Sequence, residues 1–320
     1  MNRASGDRRE VGGECETAVS ASYRFRRRET AAEGVRRIAR GRAERAKLGL
    51  LQACDGGDIA GSIHAARKDF KKLRSLLRLA RSGLDPSMRQ DENRRFRDAG
   101  RALAASRDAE VKLETVAALQ ERFPDRVPGE SVRRWSSELS AERDARTAAP
   151  EAGLSGIEEA SAMIDEGLDQ ISAMKLSDGS WGLLEPGLRR SYGRGRRAML
   201  LARERPSPEN VHEWRKRAKD LWYQLRLMHS VWPAVLEPTI EQAHELADLL
   251  GDHHDLAVLA DDLRDRDTIE DRDELDAAIE RRQRELLEAA LDLGERLYAE
   301  KAKAFARRMG GYWVAWRRIE

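Results

Sequence analysis

The chain has 320 residues, of which 36% are charged, 40% are hydrophobic and 5% are aromatic. Two cysteines cannot form a disulfide framework, and no run is long and apolar enough to cross a membrane, so an exported or integral membrane protein is not expected. The net charge of +2 hides a separation of charge. Residues 61–82 hold seven Lys or Arg and one carboxylate, whereas residues 252–276 hold eleven carboxylates and three Arg. We therefore expect strong local fields of opposite sign. The two cysteines, without a disulfide framework, favour a cytoplasmic protein.

Helical periodicity begins after residues 1–20, a polar, glycine-containing segment that we predict to be a flexible leader. β-branched residues are sparse and no run alternates as a half-buried strand does, so we predict an all-α fold. Glycine and proline separate the predicted helices. In chain order these span residues 29–53, 59–82, 86–105, 107–122, 130–147, 154–175, 185–203, 208–230, 234–250, 255–265 and 270–308.

An internal repeat is visible in two of these helices. Residues 64–79 read HAARKDFKKLRSLLRL and residues 212–227 read HEWRKRAKDLWYQLRL, so eight of sixteen positions are identical without a gap. Two shorter pairs keep the same order along the chain: EGVRR (33–37) with PGLRR (186–190), and LAASRDAEV (103–111) with LGDHHDLAV (250–258). Three matched segments in one order predict duplication of a unit of about 150 residues.

The duplication predicts two helical bundles of the four-helix type. We place the first bundle at residues 21–180 and the second at residues 181–320, with the boundary near 178–182. Because both copies share the order of loops and helices, a pseudo-two-fold pair is the simplest arrangement. If the repeated helices face each other, their charged faces line a shared basic groove or central pore.

On a helical wheel, both repeated helices carry a row of cations opposite an apolar face. The first row comprises His64, Arg67, Lys68, Lys71, Arg74 and Arg78. The second row comprises His212, Arg215, Lys216, Lys219 and Arg226. The opposite faces are predicted to be core, with Ala66, Phe70, Leu73 and Leu77 in the first copy and Trp214, Ala218, Leu221 and Leu225 in the second.

A charged helix face is most often simply solvated, but such faces usually intersperse Glu with Lys at four-residue spacing. No carboxylate enters these two sectors and the pattern occurs twice, which favours anion binding. Cations on successive turns recur about every 5.4 Å, which suits a chain of phosphates better than one phosphate. Arginines of the preceding helices extend the predicted site: Arg36, Arg37, Arg189, Arg190 and Arg194. The histidines that open the rows can donate to phosphate, or serve in capping and packing.

Two other functions stay open. The rows also suit the sugar-phosphate backbone of a nucleic acid, although Trp214, Trp222, Tyr223 and Trp232 follow core spacing and do not interleave as stacking platforms. Competition between RNA and long-chain polyphosphate would separate these two functions.

A metal-dependent phosphohydrolase is the other alternative, because the paired His and Asp side chains of His253, His254 and Asp255 can hold a metal ion. The equivalent segment of the first copy, Ser106-Arg107-Asp108, lacks the His pair. Asp108 and Asp255 are therefore better explained as N-caps or as partners of a row cation. We predict no catalytic residue, no metal and no cofactor.

The two signatures HAARKDFKKLRSLLRL and HEWRKRAKDLWYQLRL, followed by LAASRDAEV and LGDHHDLAVL, resemble those of the CHAD family (conserved histidine α-helical domain) from about residue 22 onward. The resemblance implies two pseudo-symmetric four-helix bundles that bind inorganic polyphosphate along a basic surface or central pore, often at polyphosphate granules. By motif match, the family's basic positions are those of the two rows apart from Arg74. Arg36, Arg37, Arg189 and Arg190 match its first-helix basic positions.

The resemblance also implies a non-enzymatic, stand-alone protein. Many relatives carry a triphosphate-processing domain of the CYTH type, marked by Glu-x-Glu-x-Lys, whereas this chain has Glu14-Cys15-Glu16-Thr17. The expected partners are polyphosphate and polyphosphate-metabolising enzymes or granule proteins. The copies differ where Lys72 and Arg74 align with Asp220 and Trp222, so the second row is predicted to be less basic.

Overall fold

The computed structural model describes residues 22–55, 57–103, 108–127, 129–147, 150–176, 179–266 and 269–318. Within them the chain is all-α, as predicted, and no strand is present. The predicted leader, Ser106, Arg107 and the side chain of Asp108 lie outside the described residues. The helices are α1 (Ala31–Cys54), α2 (Ile59–Leu79), α3 (Pro86–Ala102), α4 (Asp108–Arg122), α5 (Gly129–Thr147), α6 (Pro150–Ala173), α7 (Glu185–Glu204), α8 (Pro208–Met228), α9 (Pro233–Arg264), α10 (Arg272–Leu297) and α11 (Ala302–Arg318), with short 3-10 helices at Trp181–Leu183 and His229–Val231.

Side-chain caps begin several of these helices near the predicted positions. Thr30 and Glu33 form a capping box at α1, in which each side chain accepts a hydrogen bond from the other residue's backbone N–H. Asp58, Asp85 and Ser207 cap α2, α3 and α8. Such caps satisfy backbone N–H groups that have no partner within the helix, so the local sequence determines where these helices start.

Two rings of four helices build most of the fold. In the first ring, α1 packs on α2 and α6, and α3 packs on the same two helices. In the second ring, α8 packs on α7 and α9, and α10 packs on the same two helices. One hydrophobic core runs through both rings, because α2 contacts α7 and α8. The duplication, its pseudo-symmetry and the shared groove or pore stay predictions.

The α4–α5 hairpin belongs to a separate core. It packs on the C-terminal half of α9 and on α10, with Leu119 and Trp135 buried in one cluster with Leu259 and Leu275. Residues 108–147 therefore share a core with helices that follow residue 180. The predicted boundary between two bundles at residue 180 stays a prediction.

The predicted break in α9 is wrong. The helix continues through Gly251-Asp252-His253-His254, where we expected two helices to be separated. Neither the backbone nor the packing requires a glycine at Gly251. A Cβ added there would lie 3.7 Å from Arg215 Nε of α8, which is an ordinary van der Waals distance. Packing of this stretch against α8 and α10 outweighs the glycine's cost of about 1 kcal/mol.

The single long helix predicted over residues 270–308 is also wrong. α10 ends at Leu297, and α11 starts at Ala302 and packs on α7. At the break, Tyr298 is buried with its ring centroid 5.2 Å from that of Tyr192, and a Cβ at Gly195 would collide with its hydroxyl. No proline or glycine marks the break, because a tertiary contact sets it.

Both predicted core faces of the repeated helices are buried, which confirms the wheel analysis. Trp214 and Tyr223 are buried as expected, and Trp222 is half-buried. Trp232 is 47% exposed, so its core assignment is wrong. It is the N-cap residue of α9, next to Pro233, and therefore lies outside the periodicity of any helix.

None of the described helices has the length and apolar character needed to cross a bilayer.

Candidate anion-binding surface

A close contact between α2 and α7 determines the geometry of the candidate site. Gly187, in the first turn of α7, lies against the carbonyl oxygens of Arg78 and Leu79, where a Cβ would collide. Only glycine fits so near another backbone. The contact brings Arg81, which follows α2, next to the first arginines of α7.

Four arginines line a cleft of about 410 Å³ at this junction. Arg81 comes from the turn after α2, and Arg189, Arg190 and Arg197 come from α7. We call these four residues the arginine cleft. Gly193 and the first residue of α11 complete its wall.

The arginine cleft holds positive charge without local compensation. Burial lowers the pKa of Arg81, and the nearby Arg190, Arg89 and Arg194 lower it further. Across the described part of the chain, no carboxylate lies within ion-pair distance of any of the four cleft arginines. An anion that enters the cleft would relieve this repulsion.

The positive surface continues from the cleft across α8 to α2. The pKa of Arg194 is lowered by burial and by Arg217 of α8. The pKa of Arg74 is lowered to about 10 by burial and by Arg78, with two arginines of α3 adding to the effect. Cations from α2, α3, α7 and α8 therefore influence one another.

Asp220 interrupts this surface. Its buried carboxylate accepts hydrogen bonds from Arg78 at 2.7 Å and from Arg217 at 3.0 Å. The expectation that no carboxylate neutralises the rows is therefore wrong at Arg78. The partner comes from the other repeated helix, which the helical wheel of α2 alone does not include.

Glu213 neutralises a second group of cations. It accepts from Lys216 at 2.7 Å, from Arg217 at 2.8 Å and from Arg194 at 3.3 Å. Burial opposes its ionisation, but the hydrogen bonds from Lys216 and Arg217 lower its pKa to about 2. The carboxylate-free expectation is therefore wrong at Lys216 as well, since a Glu three residues before it reaches its ammonium. Arg194, predicted to extend the site from the preceding helix, is also neutralised by this carboxylate.

Three further members of the second row, His212, Arg215 and Lys219, lie against α9. The ring centroids of His212 and His254 are 4.3 Å apart, with the two rings tilted by 40°. Burial lowers the pKa of Lys219 to about 8, while Asp255 and Asp252 of α9 act in the opposite direction. Lys219 forms no ion pair with a described carboxylate and is part of the α8–α9 packing, so reversing its charge would test folding more than binding.

The first row is likewise divided. His64, Arg67, Lys68 and Lys71 all engage further contacts, and none is a free cation. Arg74 donates to Asn93 of α3 at 3.3 Å. Arg74 and Arg78, in the C-terminal half of the first row, join the surface that begins at the arginine cleft.

Three other predicted residues make different contacts. Arg36 donates to the carbonyl oxygen of Met174 at 3.1 Å, and Arg37 pairs with Glu29 at 2.6 Å. These contacts hold the start of α1 against neighbouring segments. The guanidinium of Arg226 lies 5.2 Å from the ring centroid of Trp222.

A further group of cations surrounds Asp69, the one carboxylate within residues 61–82. Asp69 is 2% exposed and contacts Arg42 at 3.1 Å, Lys72 at 3.6 Å and Arg45 at 3.7 Å. We call these four residues the Asp69 centre. Burial lowers the pKa of Lys72 to about 8, although Asp69 favours its charged form.

The residues of the alternative phosphohydrolase site are not grouped as metal ligands. His253 is 6% exposed, whereas the ring of His254 lies tilted against that of His212 from α8. Within the described ranges, no group of three His, Cys, Asp or Glu side chains is arranged to hold a metal ion.

Sequence reasoning missed Arg81, Arg89 and Arg217 as members of the basic surface. Arg81 follows Arg78 by three residues, so extending the first row beyond the helix would have found it. Arg217 aligns with Asp69 in the repeat and was hidden by that mismatch. Arg89 has no signal in the sequence, because the fold alone brings it near Arg81.

Comparison with solved structures finds the same fold in two proteins. PptA from Streptomyces chartreusis superposes with a TM-score of 0.61 at 15% identity, covering 85% of this chain and 100% of that chain. The CHAD domain from the plant Ricinus communis superposes with a TM-score of 0.60 at 17% identity, covering 90% and 97%. No curated protein matches the sequence. The family model of the CHAD domain matches residues 42–264, more than half of the chain. The chain therefore belongs to the CHAD domain family.

Proposed function

We propose that this chain binds inorganic polyphosphate, or a similarly dense linear polyanion, without turning it over. The observation that carries the proposal is the arginine cleft, where four guanidinium groups share about 410 Å³ and no described carboxylate pairs with them. Arginine forks bind phosphate oxygens in pairs and stay charged at any physiological pH.

The extent of the basic surface favours a chain of phosphates. Arg194, Arg217, Arg78 and Arg74 continue from the cleft over three helices. One phosphate group would occupy only one cluster of donors, whereas a linear polyanion can contact successive clusters and release its counterions along the way. Membership in the CHAD family, with the polyphosphate binding that the resemblance implies, supports the same ligand. Association with cytoplasmic polyphosphate granules and their proteins is part of the proposal, and co-localisation of a fluorescent fusion with the granules tests it.

The binding test is reversal of two cleft charges in Arg190→Glu/Arg197→Glu. We expect affinity for long-chain polyphosphate to fall at least about tenfold, since each charge-assisted hydrogen bond contributes about 1.5–3 kcal/mol. The plot of log affinity against log salt should also flatten by about 0.7 for each phosphate that the variant no longer binds. Fluorescence anisotropy at several salt concentrations measures both quantities.

Arg205→Glu is the matched control, because it reverses a 74%-exposed arginine directly after the same helix. It should leave affinity within about twofold, as expected for a charge that is largely screened. Equal losses of affinity in the two variants, or an unchanged affinity in the cleft variant, would place the ligand elsewhere.

A further inference from the structure

A second basic surface extends from the arginine cleft along α11. Residues 301–318 hold six Lys or Arg and no Asp or Glu, and residues 24–28 add four Arg. The two segments meet, because Phe25 packs on Trp313 with ring centroids 5.3 Å apart and Arg317 donates to the carbonyl oxygen of Glu29. Arg318 lies about 24 Å along the helix axis from the end of α11 that borders the cleft.

Four cations of this surface point to solvent. Arg24, Arg28, Arg307 and Arg318 are exposed, and none of the residues that the structure describes offers them a carboxylate. Arg308, by contrast, is paired with Glu300. The surface therefore has free positive charge of its own, apart from the arginine cleft.

Aromatic rings lie along one edge of this surface. Trp232 is 47% exposed and meets Tyr312 edge to face, with ring centroids 4.9 Å apart. The guanidinium of Arg308 lies 5.6 Å from the ring centroid of Tyr312, and Trp316 follows one turn later. An exposed tryptophan that packs on the edge of an arginine-rich helix is suited to a ligand with both negative charge and flat rings.

These features discriminate between three kinds of polyanionic partner. Insertion into a membrane surface needs a free apolar helix face, and that of α11 is buried at Phe305, Met309 and Trp313. Polyphosphate has no ring to stack on Trp232. A single-stranded nucleic acid carries phosphates at short intervals and unpaired bases, so it matches both parts of the surface.

We propose that the surface formed by α11, residues 24–28 and Trp232 binds single-stranded nucleic acid by base stacking and phosphate contacts. α11 and residues 24–28 lie outside the residues that match the CHAD family model. The proposal does not depend on polyphosphate binding at the arginine cleft.

The test compares Trp232→Ala with the unaltered chain, using an oligouridylate of about 16 nucleotides and a polyphosphate of similar phosphate number. Loss of one stacked base should weaken oligouridylate binding at least about fivefold and leave polyphosphate binding within about twofold. Leu200→Ala on α7, which removes a side chain of similar exposure at 44%, should change neither affinity. Circular dichroism and thermal melting establish that each variant is folded.

A second variant, Arg307→Glu/Arg318→Glu, tests the phosphate contacts without altering the aromatic rings. Oligouridylate affinity should fall at least about tenfold and its salt dependence should flatten. Arg264→Glu, at a 65%-exposed arginine of α9, is the charge control and should have little effect.

Three results would overturn the proposal. The first is oligouridylate affinity that is unchanged in Trp232→Ala, or polyphosphate affinity that falls equally. The second is binding to vesicles of anionic lipid that Trp232→Ala abolishes while oligouridylate binding persists. The third is self-association that Arg307→Glu/Arg318→Glu abolishes, which would make the acidic part of a second copy the occupant. Loss of polyphosphate binding alone, in the cleft variant, would leave this proposal intact.

Discussion

The arginine cleft and the Asp69 centre contain the same kinds of cation in opposite surroundings. At the Asp69 centre, one carboxylate that is 2% exposed contacts two arginines and a lysine, so these cations hold α1 and α2 together. In the cleft, four arginines have no described carboxylate near them and are accessible to solvent. A single buried acid therefore makes one cluster of cations structural, whereas the cluster without such an acid stays available to a ligand.

The two repeated helices place that acid differently. Asp69 and Lys72 pair three residues apart on α2, at 3.6 Å, and the aligned positions on α8 hold the reversed pair Arg217 and Asp220, at 3.0 Å. Reversal places the acid of α8 next to Arg78. On α2 the same position holds Lys72, whose pKa is further lowered by Arg226. At the α2–α8 contact, the charge of Arg78 is therefore neutralised by an acid of the other helix. The charge of Lys72, by contrast, faces Arg226 of the other helix.

The largest expected effect comes from removing the acid of the Asp69 centre. Asp69→Asn should lower the free energy of unfolding by about 3–5 kcal/mol, because it removes the buried carboxylate that compensates the buried charges of Arg42 and Lys72. Urea denaturation measures the decrease. Asp91→Asn, which breaks an exposed pair with Arg94, is the control and should cost less than about 1 kcal/mol. Similar decreases in the two variants would show that Asp69 does not organise the centre.

A smaller effect is expected at Asp220, which lies between the two extremes. Asp220→Asn should lower the free energy of unfolding by up to about 3 kcal/mol, since two charge-assisted hydrogen bonds weaken. It should also raise polyphosphate affinity about fivefold, corresponding to ~1 kcal/mol for one negative charge at about 4 Å in water. Isothermal titration at fixed salt measures the affinity. A decrease would mean that Asp220 positions Arg78 and Arg217 for binding and does not compete with the ligand.

The third expected effect concerns pH. The pKa of His254 is lowered to about 4 from an ordinary value of 6.5. Burial is the largest cause, and the positive charges of Arg215 and His212 add to it. The folded chain therefore favours neutral His254, and its contribution to stability is complete above pH 6.5 and is lost as pH falls towards 4. His254→Gln should make the unfolding free energy less dependent on pH across this window. Exposed His244→Gln is the control, and an unchanged dependence in His254→Gln would contradict the assignment.

Much of the fold could be predicted because its signals are local. Asp58, Asp85 and Ser207 determine helix starts through caps that act within three residues. The buried faces of α2 and α8 follow from a period of 3.6 residues, and Phe70 and Trp214 are buried as that period requires. The break at Tyr298 and the continuity of α9 through Gly251 were not predictable, since contacts with other helices outweigh weak local preferences there.

The candidate site was only partly predictable, for a related reason. The cation-rich character of α2, α7 and α8, and the pattern that α2 and α8 share, can be read from the sequence. Which cations meet an acid depends on how the helices pack: Asp220 reaches Arg78 from another helix, and Glu213 reaches Arg194. Packing at Gly187 likewise brings Arg81 to the arginines of α7. Charge and periodicity are properties of one segment, whereas neutralisation depends on distances of a few ångströms between segments, which packing alone sets.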